Sequence, residues 1–466
     1  MMVRGCQVEM YSVNGWQDRE MLRMLRTHTD RIGLVSKKMI IPIFLFILFG
    51  LGVLSANQPK AILLVTAGLP VGLGLIAWPQ VTLGLYANAG LFKADPRLRA
   101  ISSSVDITLA LGALLAGTIA YRLIVRRERM TWRREMSLAL IFAGVILLGL
   151  LYTPAGSYAT DKAFRFVSLT MLAFFAPVVF IKSYRSVWLF LVGWLGLATV
   201  LVADALSHLG TYQRISGFNA THIAISRATG IAIIILLFAV LMGRVSRHWQ
   251  ILAIAGMVPL VLVMIGSGAR GPLLMLPGTV VLTLGITFAR PGYRRPALIV
   301  IGIMGFVVLG VFSSGMIPES SLERFNLLIN EPEADTSAQA RRMVMEVAWQ
   351  LFTSNPVIGR GTGSVSVFGA GREQIYPHNI LLELAAENGL LGLSLYLGVV
   401  GMVLWQLLTK LGSEANQESL RLTLLAMLLF TLFNAMVSGD LSDNRDLWLF
   451  AGVTIATTEI GGEPTS

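Results

Sequence analysis

Charge is scarce in this chain: of its 466 residues only 14% are Asp, Glu, Lys or Arg, against roughly 25% in an ordinary soluble domain. A water-soluble fold of this length needs far more charged side chains to cover its surface. With 55% of residues apolar and a mean hydropathy of +0.70, the natural solvent is a lipid bilayer. Cysteine is almost absent. Cys6 stands alone and no Cys/His group has zinc-site spacing, so neither an intrachain disulfide nor a structural zinc holds the fold, and helix packing must. Acidic residues are also few, 26 against 37 basic, for a net charge of +11. The basic residues stand in short runs between apolar stretches and line no single face, so they read as topology signals, and no nucleic-acid partner is expected.

A membrane helix needs roughly 20 mostly apolar residues. Such windows lie near 40–56, 60–77, 79–92, 105–125, 136–155, 164–181, 187–206, 222–242, 249–268, 272–289, 297–317, 385–408, 420–438 and 447–459. The third and last are short enough to be interfacial or re-entrant, which gives twelve to fourteen spans. Barrel strands would alternate apolar and polar over about ten residues, whereas these runs are continuously apolar. The expectation is an all-α, polytopic integral membrane helical bundle. Its parts are a basic segment over 1–39, a transmembrane bundle over 40–317, a large loop over 318–378, C-terminal transmembrane helices over 379–460 and a tail at 461–466.

Arg19, Arg23, Arg26, Arg31, Lys37 and Lys38 precede the first window without a signal-peptide cleavage pattern, and the positive-inside rule puts this end in the cytoplasm. Alternation then places inside the loop bearing Arg122, Arg126, Arg127, Arg129, Arg133 and Arg134, provided that 79–92 crosses. Lys182 with Arg185, Arg244 with Arg247, and Arg290 with Arg294 and Arg295 also fall inside. Lys93, Arg97 and Arg99 fall outside, against the rule. The other outward segments are 156–163, 207–221, 269–271, 318–378 and 439–446. A connection as long as 318–378 marks function or disorder. In it Ala338, Val344 or Met345, Ala348, Leu351 and Phe352 recur at helical spacing and Asn355-Pro356 stops the pattern, which predicts an amphipathic helix over 337–352 on the outer membrane face.

Arginine is what the rule makes rare outside, yet Arg165, Arg214, Arg227, Arg270, Arg341 and Arg342 all fall at or near that surface. Arg165 and Arg227 lie within apolar windows, where an arginine at a helix centre costs roughly 2.5–3.5 kcal/mol. Each alone is near enough to a span end to snorkel to water. Converging together, guanidinium groups repel unless an anion lies between them, and a membrane-borne diphosphate suits their bidentate fork. Of the five histidines, His28 and His248 face the cytoplasm while His208, His222 and His378 face out. His378 follows Tyr376-Pro377 and precedes Asn379, where a helical pattern begins. It is either a helix-start residue or a general base, the usual role of imidazole near neutral pH. The run Gly359-Arg360-Gly361-Thr362-Gly363-Ser364 is neither a Walker loop nor a dinucleotide fingerprint. Gly361 and Gly363 are expected to let a tight loop approach a headgroup or sugar. The acidic run 439–446, with Asp440, reads as turn formation and helix capping rather than a metal site. No metal or cofactor is expected.

Six stretches together resemble the O-antigen ligase and polymerase superfamily. The long loop and the helix after it read Ser337-x-x-x-Arg341, Asn355-Pro356-x-x-Gly359-x-Gly361, His378-Asn379-x-x-Leu382 and Glu387-x-Gly389-Leu390-Leu391-Gly392; upstream stand Arg214-Ile215-Ser216-Gly217-Phe218-Asn219 and Ser267-Gly268-Ala269-Arg270-Gly271. The resemblance covers about 210–395 and departs from the family at Asn219-Ala220-Thr221, where a Pro-Asn is usual. It implies a metal-independent glycosyltransferase at the periplasmic face of the bacterial inner membrane. The donor would be a glycan on undecaprenyl diphosphate, with His378 as base and the arginines as clamp. Arg341 is preferred to Arg342 for its spacing to Pro356. The acceptor is a lipid A-core sugar hydroxyl in a ligase, another repeat unit in a polymerase, or a protein in a protein O-oligosaccharyltransferase of the same superfamily. The rival class is a transporter or flippase of anionic lipids, which would place charges nearer the midplane and show repeated halves.

Overall fold

The computed structural model describes residues 72–93, 95–98, 106–208, 215–243, 245–288, 294–330, 336–368, 376–412, 417–458 and 460. The segment 1–39, the window 40–56, most of 60–77, Arg214 and the tail 461–466 lie outside them. The unit formed by 79–243 and 253–466 contains every described site residue.

In chain order its helices are α1 (Pro79–Ala87), α2 (Ile107–Val125), α3 (Arg134–Leu151), α4 (Gly156–Phe180), α5 (Tyr184–Ser207), α6 (His222–Leu241), α7 (Arg247–Gly266), α8 (Arg270–Phe288) and α9 (Arg294–Ser313). There follow α10 (Glu319–Asn330), α11 (Thr336–Ser354), α12 (Val365–Phe368), α13 (Ile380–Lys410), α14 (Glu418–Ala435) and α15 (Arg445–Thr457). No strand occurs among the described residues. Ten helices, α2 to α9 with α13 and α14, are long and apolar enough to cross a bilayer, so the chain is an all-α, multi-pass membrane protein. In α2, α7 and α8 apolar residues surround the axis instead of forming a stripe, as expected where both protein and lipid are apolar.

Polar residues mark where the helices begin. Asp106 accepts from Thr108 N–H and Leu109 N–H at the start of α2, Thr221 from Ala224 N–H at the start of α6, and Asn379 from Leu381 N–H and Leu382 N–H at the start of α13. Each satisfies donors that the helix itself leaves unpaired. α14 lies mostly inside the bundle, with 83% of its apolar window buried, whereas α2 and α9 bury only 22% of theirs and face outward.

The window 79–92 does not form the crossing that the inside placement of the arginine loop required. It is nine-residue α1 followed by a 3-10 turn, Ala89–Phe92, and nine residues rise about 14 Å against roughly 30 Å of hydrocarbon. Sidedness follows instead from contacts between helix ends. Tyr152, after α3, donates to Ile358 O; Ile215 N–H donates to Gly266 O; Ser321 donates to the same carbonyl. With Leu441 N–H donating to Glu383, these join the 152–155, 215–221, 267–269, 314–330, 355–363 and 436–444 segments at one end of the bundle. The loop 126–133 lies at the other, where Arg122 covers the Phe180 ring. Lys93 and Arg97, anomalous by the positive-inside rule, are neutralised: Lys93 pairs with Asp106 at 2.6 Å, and Arg97 with Asp95 at 2.5 Å and Asp204 at 2.7 Å.

Thirteen-residue α15 is also too short to cross alone, yet Leu447 to Thr457 are all buried. Its Trp448 stacks on Phe142 of α3 at 5.8 Å and takes Phe166 and Phe174 of α4 edge-on at 5.4 and 5.6 Å. Such pairs contribute about 0.5–1.5 kcal/mol each beyond burial. The expected loop helix is α11. It turns Val344, Ala348 and Leu351 onto Val365 and Ala386 while Met345 is exposed, so its apolar face covers α13.

Candidate active site

The two glycine-bearing motifs meet through their backbones. Inside α13, Gly389 leaves the helical conformation with φ 63° and ψ −165°, and the 355–361 loop supplies the partners that the break removes. Leu390 N–H donates to Pro356 O at 2.7 Å and Leu391 N–H to Val357 O at 3.1 Å, while Arg360 N–H and Gly361 N–H donate to Ala386 O and Glu387 O at 2.9 and 2.8 Å. A broken membrane helix survives only where such bonds are replaced. A Cβ on Gly389 would stand 2.3 Å from Val357 O, and one on Gly359 2.4 Å from the Glu387 carbonyl carbon.

The expectation that Gly361 and Gly363 face a headgroup or sugar is corrected by their surroundings. A Cβ at Gly361 would meet Thr153 Cα at 2.6 Å and one at Gly363 would meet Ala159 Cα at 3.1 Å. Thr362 between them is buried; its hydroxyl donates to Ile146 O and its carbonyl accepts from Thr153. The close approach is to the protein's own backbone, and the loop is the brace that fixes α11 and α13 against α3 and α4.

At the same end of the bundle lies a small cleft of about 40 Å³. His222 and Ile223 at the start of α6, the bend 268–272 with Arg270, Arg341 of α11, and Val437-Ser438 after α14 line it. The charge of Arg341 also acts on His378. It adds to burial, the larger cause, in pushing the imidazole down to about 4, so His378 is neutral at pH 7. His378 sits at φ 54° with its ring 4.5 Å from that of Tyr376, and its Nδ1 is buried without a hydrogen-bond partner. Burial first, then the nearby carboxylates, pushes the Tyr376 phenol up to about 12, and it remains a hydroxyl donor.

The outward arginines divide. Arg270 and Arg341 line the cleft, and Arg342 is exposed beside them on α11. Arg227 lies under the cleft floor, donating from Nη2 to Ser438 O at 2.8 Å and Asn434 O at 3.2 Å; it closes the carbonyl end of α14, as cations do at helix C-termini. Arg165 opens a π-helical turn in α4 and pairs with Asp443 at 3.0 Å. Asp440 accepts from Ser442 Oγ and Asp443 N–H, fixing the 440–444 turn, and Asn379 caps α13. Burial, then Asp440, raises the Asp443 carboxyl above its ordinary range.

One charged group escaped the sequence reading. Lys162 of α4, 1% exposed, lies 2.5 Å from Glu383 and 2.7 Å from Glu387 of α13, themselves 0% and 2% exposed. Glu383 also accepts from Leu441 N–H. The trio ties α13, immediately after His378-Asn379, to α4 and to the 440–444 turn. Its signal in the sequence was two carboxylates four residues apart on one helix face.

No curated protein matches the chain. A family model described as O-antigen ligase matches residues 255–397, a stretch that includes Arg270, Arg341, the glycine loop, His378 and the Gly389 break but not Arg165, Arg227, Lys162 or Asp440. Over residues 255–397 the chain is therefore similar to the O-antigen ligase family.

Proposed function

We propose that the protein is an O-antigen ligase, moving a glycan from undecaprenyl diphosphate to a sugar hydroxyl of the lipid A core at the periplasmic face of the bacterial inner membrane. The observation that carries this reading is that Arg341 shares a cleft with Arg270 while its charge acts on His378. A base and an anion clamp thus adjoin at one end of the bundle. The acceptor oxygen attacks the anomeric carbon and its proton passes to His378. The bond from that carbon to the diphosphate breaks, and its electron pair moves onto a phosphate oxygen compensated by Arg270 and Arg341. Arg214 joins the clamp on the strength of the sequence resemblance. Exposed Arg342 does not belong to it. Arg227 holds the Ser438 carbonyl of the cleft wall, and Arg165 pairs with Asp443. Donor binding cancels part of the charge that depresses His378, so the base strengthens when the substrate is in place.

The test supplies purified protein in proteoliposomes with undecaprenyl-diphosphate-linked glycan and either lipid A core or free glycan. Glycosylated lipid A core is the expected product. Extended glycan alone would make the protein a polymerase, and movement of labelled lipid without a new glycosidic bond would make it a transporter.

A further inference from the structure

His222 stands outside every role so far assigned. It begins α6, and its position among outward residues says no more from sequence than that it is a surface histidine. The fold puts it on the wall of the cleft that holds Arg270 and Arg341. Ser438 lies on the same wall, and its carbonyl is engaged from below by Arg227. The cleft thus gathers two guanidinium groups and an imidazole around a small space, with the first residues of α6 and α8 on its rim. Every one of these groups is a hydrogen-bond donor in at least one of its forms, and among the described residues no carboxylate lines the space. That composition suits an anion with several acceptor oxygens.

We propose that His222 is a donor-positioning residue of this cleft, hydrogen-bonding through an imidazole N–H to a non-bridging oxygen of the bound diphosphate. The inference rests on the glycosyl-transfer reading for its ligand but not for its binding site. His222 transfers no proton in this role. His378 receives the acceptor's proton, the departing phosphate oxygen keeps the bonding electron pair, and His222 holds the diphosphate so that this bond faces the acceptor. A hydrogen bond to a charged group contributes about 1.5–3 kcal/mol, so its loss is expected to weaken diphosphate binding by roughly 10- to 150-fold.

The experiment measures binding of inorganic pyrophosphate and of farnesyl diphosphate to the purified full-length protein in detergent, calorimetrically, for wild type, H222A, H222Q and the R270A/R341A double variant. Donor KM, acceptor KM and kcat are measured on the same preparations. The expected result is weaker binding of both probes by at least about tenfold in H222A, recovery of most of it in H222Q, which keeps an N–H donor, and near-complete loss in R270A/R341A. Tighter binding of farnesyl diphosphate than of pyrophosphate would identify a lipid-borne source for the anion, and the reverse a free one. In catalysis H222A is expected to raise donor KM and leave acceptor KM unchanged. Wild-type affinity in H222A, or no binding of either probe to wild type, overturns the proposal. Binding that requires His222 in a protein that makes no glycosidic bond keeps this inference and overturns the glycosyl-transfer reading alone. If H222A is unfolded, H222Q decides: an N–H-retaining variant that folds and still binds as weakly as R270A/R341A also overturns it.

Discussion

Replacing Lys162 by methionine tests the buried charge trio most directly. The side chain is similar in length, so packing is largely kept while the ammonium is removed. Glu383 and Glu387, both at 2% exposure or less, then face each other without the cation that lies 2.5 and 2.7 Å from them. At an effective dielectric of about 20, each of those contacts corresponds to an attraction of about 6 kcal/mol before desolvation. Removing one partner of a buried pair has a net cost of about 3–5 kcal/mol. Two carboxylates outnumber one ammonium, so a single Glu383→Gln should behave differently: it removes the excess charge and keeps an oxygen for Leu441 N–H, with an expected loss below about 1 kcal/mol. Thermal and chemical unfolding of the purified proteins, followed by intrinsic fluorescence, gives both numbers. The triple variant K162M/E383Q/E387Q should recover much of what K162M alone loses. Equal stability of K162M and wild type, or a larger loss in E383Q than in K162M, would refute the reasoning.

Gly389→Ala forces a side chain into a backbone region essentially reserved for glycine and against Val357 O at 2.3 Å; the strain of about 1–3 kcal/mol, with hydrogen bonds lost to the loop, should lower the unfolding midpoint and transfer activity together. His378→Gln should cut turnover by about 10² to 10⁴ while donor lipid still binds; near wild-type turnover would exclude a base. With His378 held near 4, the acid limb of kcat/KM should lie well below the ordinary imidazole range, and that of kcat above it once bound diphosphate offsets Arg341. The sign for stability is the same: from about pH 6.5 down to about 4 the unfolded chain takes up the proton more readily, so stability should fall as pH is lowered through that window, and H378Q should flatten the slope. Arg341→Ala should raise donor KM and raise the imidazole's affinity for protons, visible by NMR of labelled histidine, whereas exposed Arg342→Ala should leave both near wild type. Because no step uses a metal, transfer should survive EDTA, and a reversible loss on chelation would require another mechanism.

Hydropathy and spacing were enough for the helices because membrane solvation acts on each segment separately: a run of roughly 20 apolar residues is a span whatever its neighbours do. The same local rules made Asn379 a helix start and Asn355-Pro356 a helix stop, and identified the excess of outward arginine. They left 79–92 open between a crossing and an interfacial or re-entrant segment; it holds a nine-residue helix and a 3-10 turn, because the length of an apolar run does not fix where the helix ends. Glycine spacing announced close approach at Gly361 and Gly363 but not to what; the approach is to Thr153 and Ala159, about two hundred residues earlier in the chain.

What each polar group does was decided only by tertiary structure. A buried charge is stable with water, a protein partner or a ligand, and which of these it meets depends on residues far away in sequence. Arg227 finds the carbonyls of Asn434 and Ser438, Arg165 finds Asp443, and Lys162 finds Glu383 and Glu387, so these cations are satisfied within the fold. Arg270, Arg341 and His222 are brought to one cleft by α6, the 267–272 bend and α11. By itself the sequence determined a membrane bundle with too many arginines at one face. Packing sent Arg165 and Arg227 to distant partners and brought Arg270 and Arg341 to the lining of one cleft.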